Sequence, residues 1–132
     1  MNIHALAHIA ILTKDLAASI SWYEKLGGQC YDRGQVPKPT GVNHMAMVRL
    51  PGVDLELIQP GDGTPVEATG GVIPHLALET HDLDAAIREL RQSGIDSFRT
   101  EQPVKLPNLF GGLRNIFLTG PSGELIELLE HL

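Results

Sequence analysis

Apolar and polar positions along this chain follow two periods. In the stretch HIAIL the branched residues Ile9 and Ile11 take one face of an extended segment, and His8, Ala10 and Leu12 take the other. The same alternation predicts strands over about 3–12, 29–35, 43–50 and 53–59, and again over about 72–80, 96–104, 113–118 and 124–130. The period changes after the first strand of each set. Leu16, Ile20, Tyr23 and Leu26 recur at helical spacing, as do Leu83, Ile87 and Leu90, and Gly27 and Gly94 stand where left-handed caps end such helices. LPGVD and GPSGE supply turns between the last two strands of each set. The Gly- and Pro-rich segments 59–71 and 102–111 read as loops.

The order strand, helix, three strands is thus written twice. Shifting the chain by 67 residues pairs His8–Gly27 with His75–Gly94, with identity at eight of twenty positions, among them His8/His75, Thr13/Thr80, Asp15/Asp82 and Leu16/Leu83. A second gapless match, at a shift of 71, sets 41–58 on 112–129, with Gly41 on Gly112, Gly52 on Gly123 and Glu56 on Glu127. The expected fold is α+β: two tandem βαβββ modules forming a curved mixed sheet, or half-barrel, around a metal site, with helices on the outer face. The expected organisation is one domain over 1–132, with module one at about 1–60, a linker at about 61–71 and module two at about 72–132.

Strand parity selects the candidate chemistry. Leu55 and Leu57 oppose Asp54, Glu56 and Ile58; Leu76 and Leu78 oppose His75, Ala77 and Glu79; Ile126 and Leu128 oppose Glu127 and Leu129. The branched pairs belong under the helices. His8, Glu56, His75 and Glu127 are left together on the other face, where neighbouring carboxylates repel unless a cation lies between them. Two imidazoles and two carboxylates suit one borderline divalent ion with positions left open for water or substrate. The other histidines have no such support: His4 and His8 form an H-x-x-x-H that could chelate on a helix, but the Ile-rich alternation argues strand, and His44, His81 and His131 read as surface or loop residues. Glu79 and Arg114 read as cavity-facing residues or, more commonly, as salt-bridge partners at a strand edge. Trp22 and Tyr23 lie in the first helix, where core packing or a subunit contact is expected.

Composition narrows the partners. Apolar residues make up 42% and charged residues 20% of 132 residues, values ordinary for a soluble globular protein, and the net charge of −6 disfavours nucleic acid. No apolar run is long enough to span a bilayer. Cys30 is the single cysteine and has no internal partner, so a cytoplasmic location is expected.

Paired modules of this order, opening with HIAILTKDLAASISWYEKLGG and closing with GPSGELIELLE, resemble the vicinal oxygen chelate superfamily over nearly the whole chain. That group includes glyoxalase I (lactoylglutathione lyase), methylmalonyl-CoA epimerase, extradiol dioxygenases and fosfomycin- and bleomycin-resistance proteins. The resemblance carries the superfamily's metal ligands onto His8, Glu56, His75 and Glu127. Glu56 matches glyoxalase I at a position where the epimerases carry Gln. The compact length resembles the short bacterial enzymes activated by Ni²⁺ or Co²⁺, with Zn²⁺ or Mn²⁺ as alternatives.

What the resemblance implies is a metal-dependent lyase or isomerase of the glyoxalase type. Its substrate would be a thiol adduct of a 2-oxoaldehyde or a related carbonyl compound. Glu127 would be the base and Glu56 its counterpart, with proton transfer through a metal-stabilised enediolate. Leu12 and Pro60 depart from the arginine and asparagine of the short bacterial glyoxalases, so a glutathione adduct binds differently or is not the substrate. The alternatives are an epimerase with the same enolate chemistry, or a metal-free protein that sequesters a small compound. A homodimer is expected, since open strand edges call for a partner. Loops 33–41, 60–71 and 102–111 are expected to set selectivity, with 102–111 as a lid or a dimer contact.

Overall fold

The computed structural model describes residues 2–67 and 71–132. It divides into two compact units, Met1–Glu67 and Ala68–Leu132. The first carries β1 (Ile9–Leu12), α1 (Leu16–Lys25), β2 (Gln29–Lys38), β3 (Gly41–Leu50) and β4 (Val53–Gln59). The second carries β5 (Leu76–Glu79), α2 (Leu83–Gln92), β6 (Val104–Leu106), β7 (Leu113–Thr119) and β8 (Leu125–His131). Each unit has one open four-stranded sheet, ordered β1-β4-β3-β2 or β5-β8-β7-β6. The first strand pairs in parallel with the last, and the remaining neighbours are antiparallel. The α+β class and the duplicated βαβββ order are therefore as the sequence predicts.

The repeat extends to the devices that start and stop the helices. Asp15 caps α1 by accepting from the Ala18 N–H at 3.0 Å, and Asp82 caps α2 through the Ala85 N–H at 3.0 Å. A side chain on the last strand of each sheet reaches back to the first helical amide. Leu16 N–H donates to Gln59 Oε1 at 2.7 Å, and Leu83 N–H donates to Glu130 Oε1 at 3.2 Å. At the far ends Gly27 (φ 93°) and Gly94 (φ 89°) turn left-handed. The following amides of Gly28 and Ile95 then bond back to the Tyr23 and Leu90 carbonyls at 2.9 Å. Gly28 is held to its residue type by space: a Cβ there would lie 2.7 Å from the Tyr23 carbonyl oxygen and 2.9 Å from Val48 Cγ1.

The buried side chains confirm the predicted parity. In the first unit Ile20 and Tyr23 of α1 are buried, as are Ala46, Val48 and Leu50 of β3 and Leu55 and Leu57 of β4. In the second, Leu83, Ile87 and Leu90 of α2 are buried with Ile116, Leu118, Ile126 and Leu128. Each sheet gives one face to its own core, so polar side chains gather on the other.

Several boundaries differ from expectation. Residues 2–8 form no regular element, and Ile3 and Leu6 are exposed. The strand expected over 29–35 runs on through 36–38, within the expected loop 33–41, because its ladder with β3 continues unbroken from Arg33↔Ala46 to Lys38↔Gly41. The strand expected over 96–104 is replaced by a single bridge, Phe98↔Leu118, and then by the short β6. A turn in which the Thr100 hydroxyl donates to the Gln102 carbonyl at 2.8 Å, followed by Pro103, interrupts the ladder between them. Within the expected loop 60–71, positions 68–70 lie outside the described residues.

The gapless match at a shift of 71 also needs correction. β4 and β8 are related by 71, since Glu56 stands beside Ala10 and Glu127 beside Ala77. β3 and β7 are related by 70, since Glu56 pairs with Met47 and Glu127 with Phe117. The hairpin turns absorb the difference. Leu50↔Val53 closes on Pro51-Gly52, whereas Gly120 N–H bonds the Glu124 carbonyl across a loop one residue longer, with Gly123 at φ 92°. One residue in a strand exchanges faces, so Met45, not His44, is the counterpart of Asn115.

Candidate metal and substrate site

Each unit places one predicted imidazole against one predicted carboxylate. His8 stands one residue before β1, and its Nε2 lies 3.6 Å from Glu56 Oε1 on β4. His75 stands one residue before β5, and its Nε2 lies 3.1 Å from Glu127 Oε1 on β8. Both pairs use the sheet face opposite the buried leucines and isoleucines, as strand parity requires. Among the described residues no group of three or more His, Cys, Asp or Glu side chains is arranged to hold a metal ion. The structure brings the four predicted ligands together as two pairs, one in each unit.

The donor chemistry of each pair fits a divalent cation. Ligands about 2.1 Å from one ion are about 3.0 Å apart at octahedral edges and about 3.4 Å apart at tetrahedral ones. The observed separation of 3.1 Å falls between these two edges, and that of 3.6 Å lies just beyond the longer one. All four side chains keep some exposure, from 38% for His8 to 12% for Glu127, so the donors remain reachable.

The two carboxylates sit in different surroundings. Asn115 of β7, itself buried, donates from Nδ2 to Glu127 Oε2 at 2.8 Å, leaving Oε1 toward His75. The Phe117 and His75 rings meet in a T-shaped arrangement with centroids 5.4 Å apart. Glu56 has no counterpart to that amide, because Met45 occupies the position equivalent to Asn115. Sequence reading missed Asn115 and Phe117. The available signal was their parity on β7, which the gapless match had assigned to the wrong partners.

Across the first sheet this face is built in rows. One row joins His8 to a polar cluster at its margin: Arg49 Nε donates to Asp54 Oδ1 at 3.1 Å, Tyr31 Oη donates to Asp54 Oδ2 at 2.8 Å, and the guanidinium lies 4.2 Å from the Tyr31 ring centroid. The Arg49 and Tyr31 hydrogen bonds hold the Asp54 carboxyl below its ordinary value, and the Asp54 acceptor raises Tyr31 in turn. The next row is Ala10, Glu56, Met47 and Asp32. The row beyond it is Leu12, Ile58, Met45 and Gly34. A cavity of about 320 Å³ opens here, lined in part by Asp32, Gly34, Val36, Met45, Met47 and Glu56.

The remaining polar candidates are structural partners, as expected for Glu79 and Arg114. His131 Nε2 lies 3.0 Å from Glu79 Oε1. Arg114 joins Glu130 at 2.8 Å and Asp84 at 3.2 Å, and the Glu130 hydrogen bond raises its guanidinium further. His44 is exposed on β3, and Tyr23 is fully buried with Trp22 edge-on at 5.0 Å.

This duplicated fold, with a histidine and a glutamate at equivalent places in each half, defines a class. The chain belongs to the Glyoxalase/Bleomycin resistance protein/Dioxygenase superfamily, whose family model matches residues 7–107. It is 34% identical over 128 residues to the uncharacterized protein YwbC of Bacillus subtilis (strain 168), covering 94% of this chain and 95% of that one. It is 28% identical over 110 residues to human mitochondrial methylmalonyl-CoA epimerase, covering 78% of this chain and 61% of the epimerase. Among solved structures it shares its fold with a glyoxalase family protein from Enterococcus faecalis, with a TM-score of 0.76, 23% identity, and coverage of 98% and 100%. It also shares it with the trypanothione-dependent glyoxalase I of Leishmania major, with a TM-score of 0.72, 21% identity, and coverage of 97% and 87%. The superfamily includes enzymes. Among the described residues no helix is long and apolar enough to cross a membrane.

Proposed function

We propose that the protein is a metal-dependent lyase or isomerase of the glyoxalase type. It moves a proton between adjacent carbons of a small carbonyl compound. The observation that carries this reading is the pair of repeat-equivalent imidazole–carboxylate couples, 3.6 and 3.1 Å across. His8 and Glu56 from one module, and His75 and Glu127 from the other, are the residues that hold one divalent ion, within a chain or across two. Ni²⁺ or Co²⁺ is favoured for this donor set, and Zn²⁺ or Mn²⁺ also fits it. When bound, the cation supplies Lewis acidity that lowers the cost of negative charge developing on a substrate oxygen.

The chain's own residues then divide the work. Glu127 is the base, since Asn115 fixes one oxygen and leaves the other presented. Glu56 occupies the equivalent position in the other module and serves the opposite face of the reacting carbon. The histidines orient the donors. A homodimer in the cytoplasm is the proposed state, each sheet having two edge strands that a partner can cover.

Glu127→Gln is expected to retain Ni²⁺ binding, measured by calorimetry, and to abolish exchange of substrate carbon-bound hydrogen with solvent deuterium. Full exchange by the purified variant refutes the assignment of the base. The 28% identity to methylmalonyl-CoA epimerase favours a second reading, in which Glu56 and Glu127 both exchange protons in an epimerisation. Solvent deuterium appearing at the α-carbon of the inverted stereoisomer, with the carbonyl left where it was, selects that reading over isomerisation.

A further inference from the structure

The groove beside Glu56 is selective by its composition. Leu12, Ile58, Met45 and Gly34 form an unbroken apolar row across all four strands of the first sheet. Val36, 41% exposed, extends it along β2, and Leu12 is 38% exposed at its other end. In the adjoining row the charged members, Glu56 and Asp32, are both acidic. At the margin of that face Arg49 is committed to Asp54, and Lys38, which follows Val36 at the same parity along β2, acts on Asp62. Arg33 also lines the cavity, but it sits in the alternate register, opposite the buried Ala46. An anion placed on these rows meets the two carboxylates, Glu56 and Asp32. An uncharged apolar group meets thioethers and branched carbons. The volume of about 320 Å³ suits a ring or a short branched chain.

We propose that this groove receives an uncharged apolar substituent of the substrate, such as an aryl or branched alkyl group. It is joined directly to the oxygenated carbons that face Glu56. The substrate class is then an apolar α-hydroxy or α-oxo carbonyl compound rather than an anionic thiol conjugate. The inference rests on the proposed site at Glu56 and names what that site accepts.

Gly34 gives the means to test it. A Cβ at Gly34 meets no atom within 4 Å, so a side chain enters open space and a strand-compatible valine is tolerated there. The chain has three methionines, and Met45 and Met47 are the two that line the groove. With ¹³C-methyl methionine, metal-free protein is titrated with 2-hydroxyacetophenone, hydroxyacetone and S-methylglutathione. The aryl probe is expected to shift the Met45 and Met47 methyl signals and leave Met1 in place. It should bind at least about tenfold more tightly than hydroxyacetone, the difference isolating the ring. Gly34→Val is expected to remove most of that advantage while leaving hydroxyacetone binding and the far-ultraviolet spectrum unchanged. Unmoved methyl signals, or tighter binding of S-methylglutathione, overturns the proposal. Because the titration needs no metal, Ni²⁺ calorimetry on the same samples reports the proposed metal site separately.

Discussion

Replacing Asn115 by leucine isolates the contact that distinguishes the two carboxylates. The two side chains share the same branched heavy-atom skeleton and leucine is the bulkier, so the change removes a donor without opening a cavity. What is lost is a 2.8 Å hydrogen bond to Glu127 Oε2, between an amide on a residue 8% exposed and a carboxylate side chain 12% exposed. Hydrogen bonds to charged groups contribute about 1.5–3 kcal/mol, and water has little access to replace this one. A loss of about 2 kcal/mol corresponds to roughly 7 °C in Tm for a chain of this length. The assay is thermal unfolding in excess chelator, with amide exchange on β7 and β8 to localise the effect. In a Glu127→Gln background the same substitution removes only a neutral hydrogen bond, so its cost should fall to about 1 kcal/mol. Unfolding of Asn115→Leu within about a degree of the parent, or an equal cost in both backgrounds, refutes the account of Asn115 as the clamp on Glu127.

Four other outcomes follow from the same coordinates. Asp54 is held below its ordinary value of 3.8 in the fold by Arg49 and Tyr31, so its stabilising effect is present above that pH and lost as pH falls through the lowered folded value; acid titration of Asp54→Asn should therefore lack that component, and a curve parallel to the parent's would contradict it. Gly28→Ala forces a Cβ against the Tyr23 carbonyl and Val48, and should cost about 1–3 kcal/mol in chemical denaturation. Asp15→Ala and Asp82→Ala each remove one N-cap and should each cost about 1 kcal/mol, near-equal values being the mark of equivalent caps. Ni²⁺ at a hundredfold excess over Kd should stabilise the parent by about 2.7 kcal/mol, and chelator, His8→Ala or His75→Ala should remove most of that gain in calorimetric melting.

What the sequence made legible was whatever a local period encodes. Ile9, Ile11, Leu55 and Leu57 alternate, Leu83, Ile87 and Leu90 recur at helical spacing, and Gly27 and Gly94 close the helices as read. The His8–Glu56 and His75–Glu127 pairings were legible because two strands adjacent in the sheet carry them at matched parity. Pairing decided the rest. Segment 33–38 is rich in loop-forming residues, yet β3 supplies a continuous ladder for it. Segment 96–104 has strand composition, yet a turn and Pro103 reduce it to one bridge and a late start of β6. Asn115 stayed hidden because its partner depends on a one-residue difference in hairpin length.

The duplicated positions become unequal through side-chain type at matched parity. Register binds β4 to β1 and β8 to β5 in the same way, so both halves keep the histidine beside the glutamate. β3 and β7 approach those strands through turns of different length, and their side chains are free to diverge in type while keeping parity. In one half the neighbouring positions became Met45 and Met47, which leave Glu56 beside an apolar groove. In the other they became Asn115 and Phe117, which clamp Glu127 and buttress His75. Identical neighbours would give both carboxylates the same freedom, and the proposed proton transfer calls for different ones. Transplanting the difference tests this directly. Met45→Asn combined with Asn115→Met should reverse the order of amide protection between β3–β4 and β7–β8, and the unchanged order would show that the asymmetry resides elsewhere.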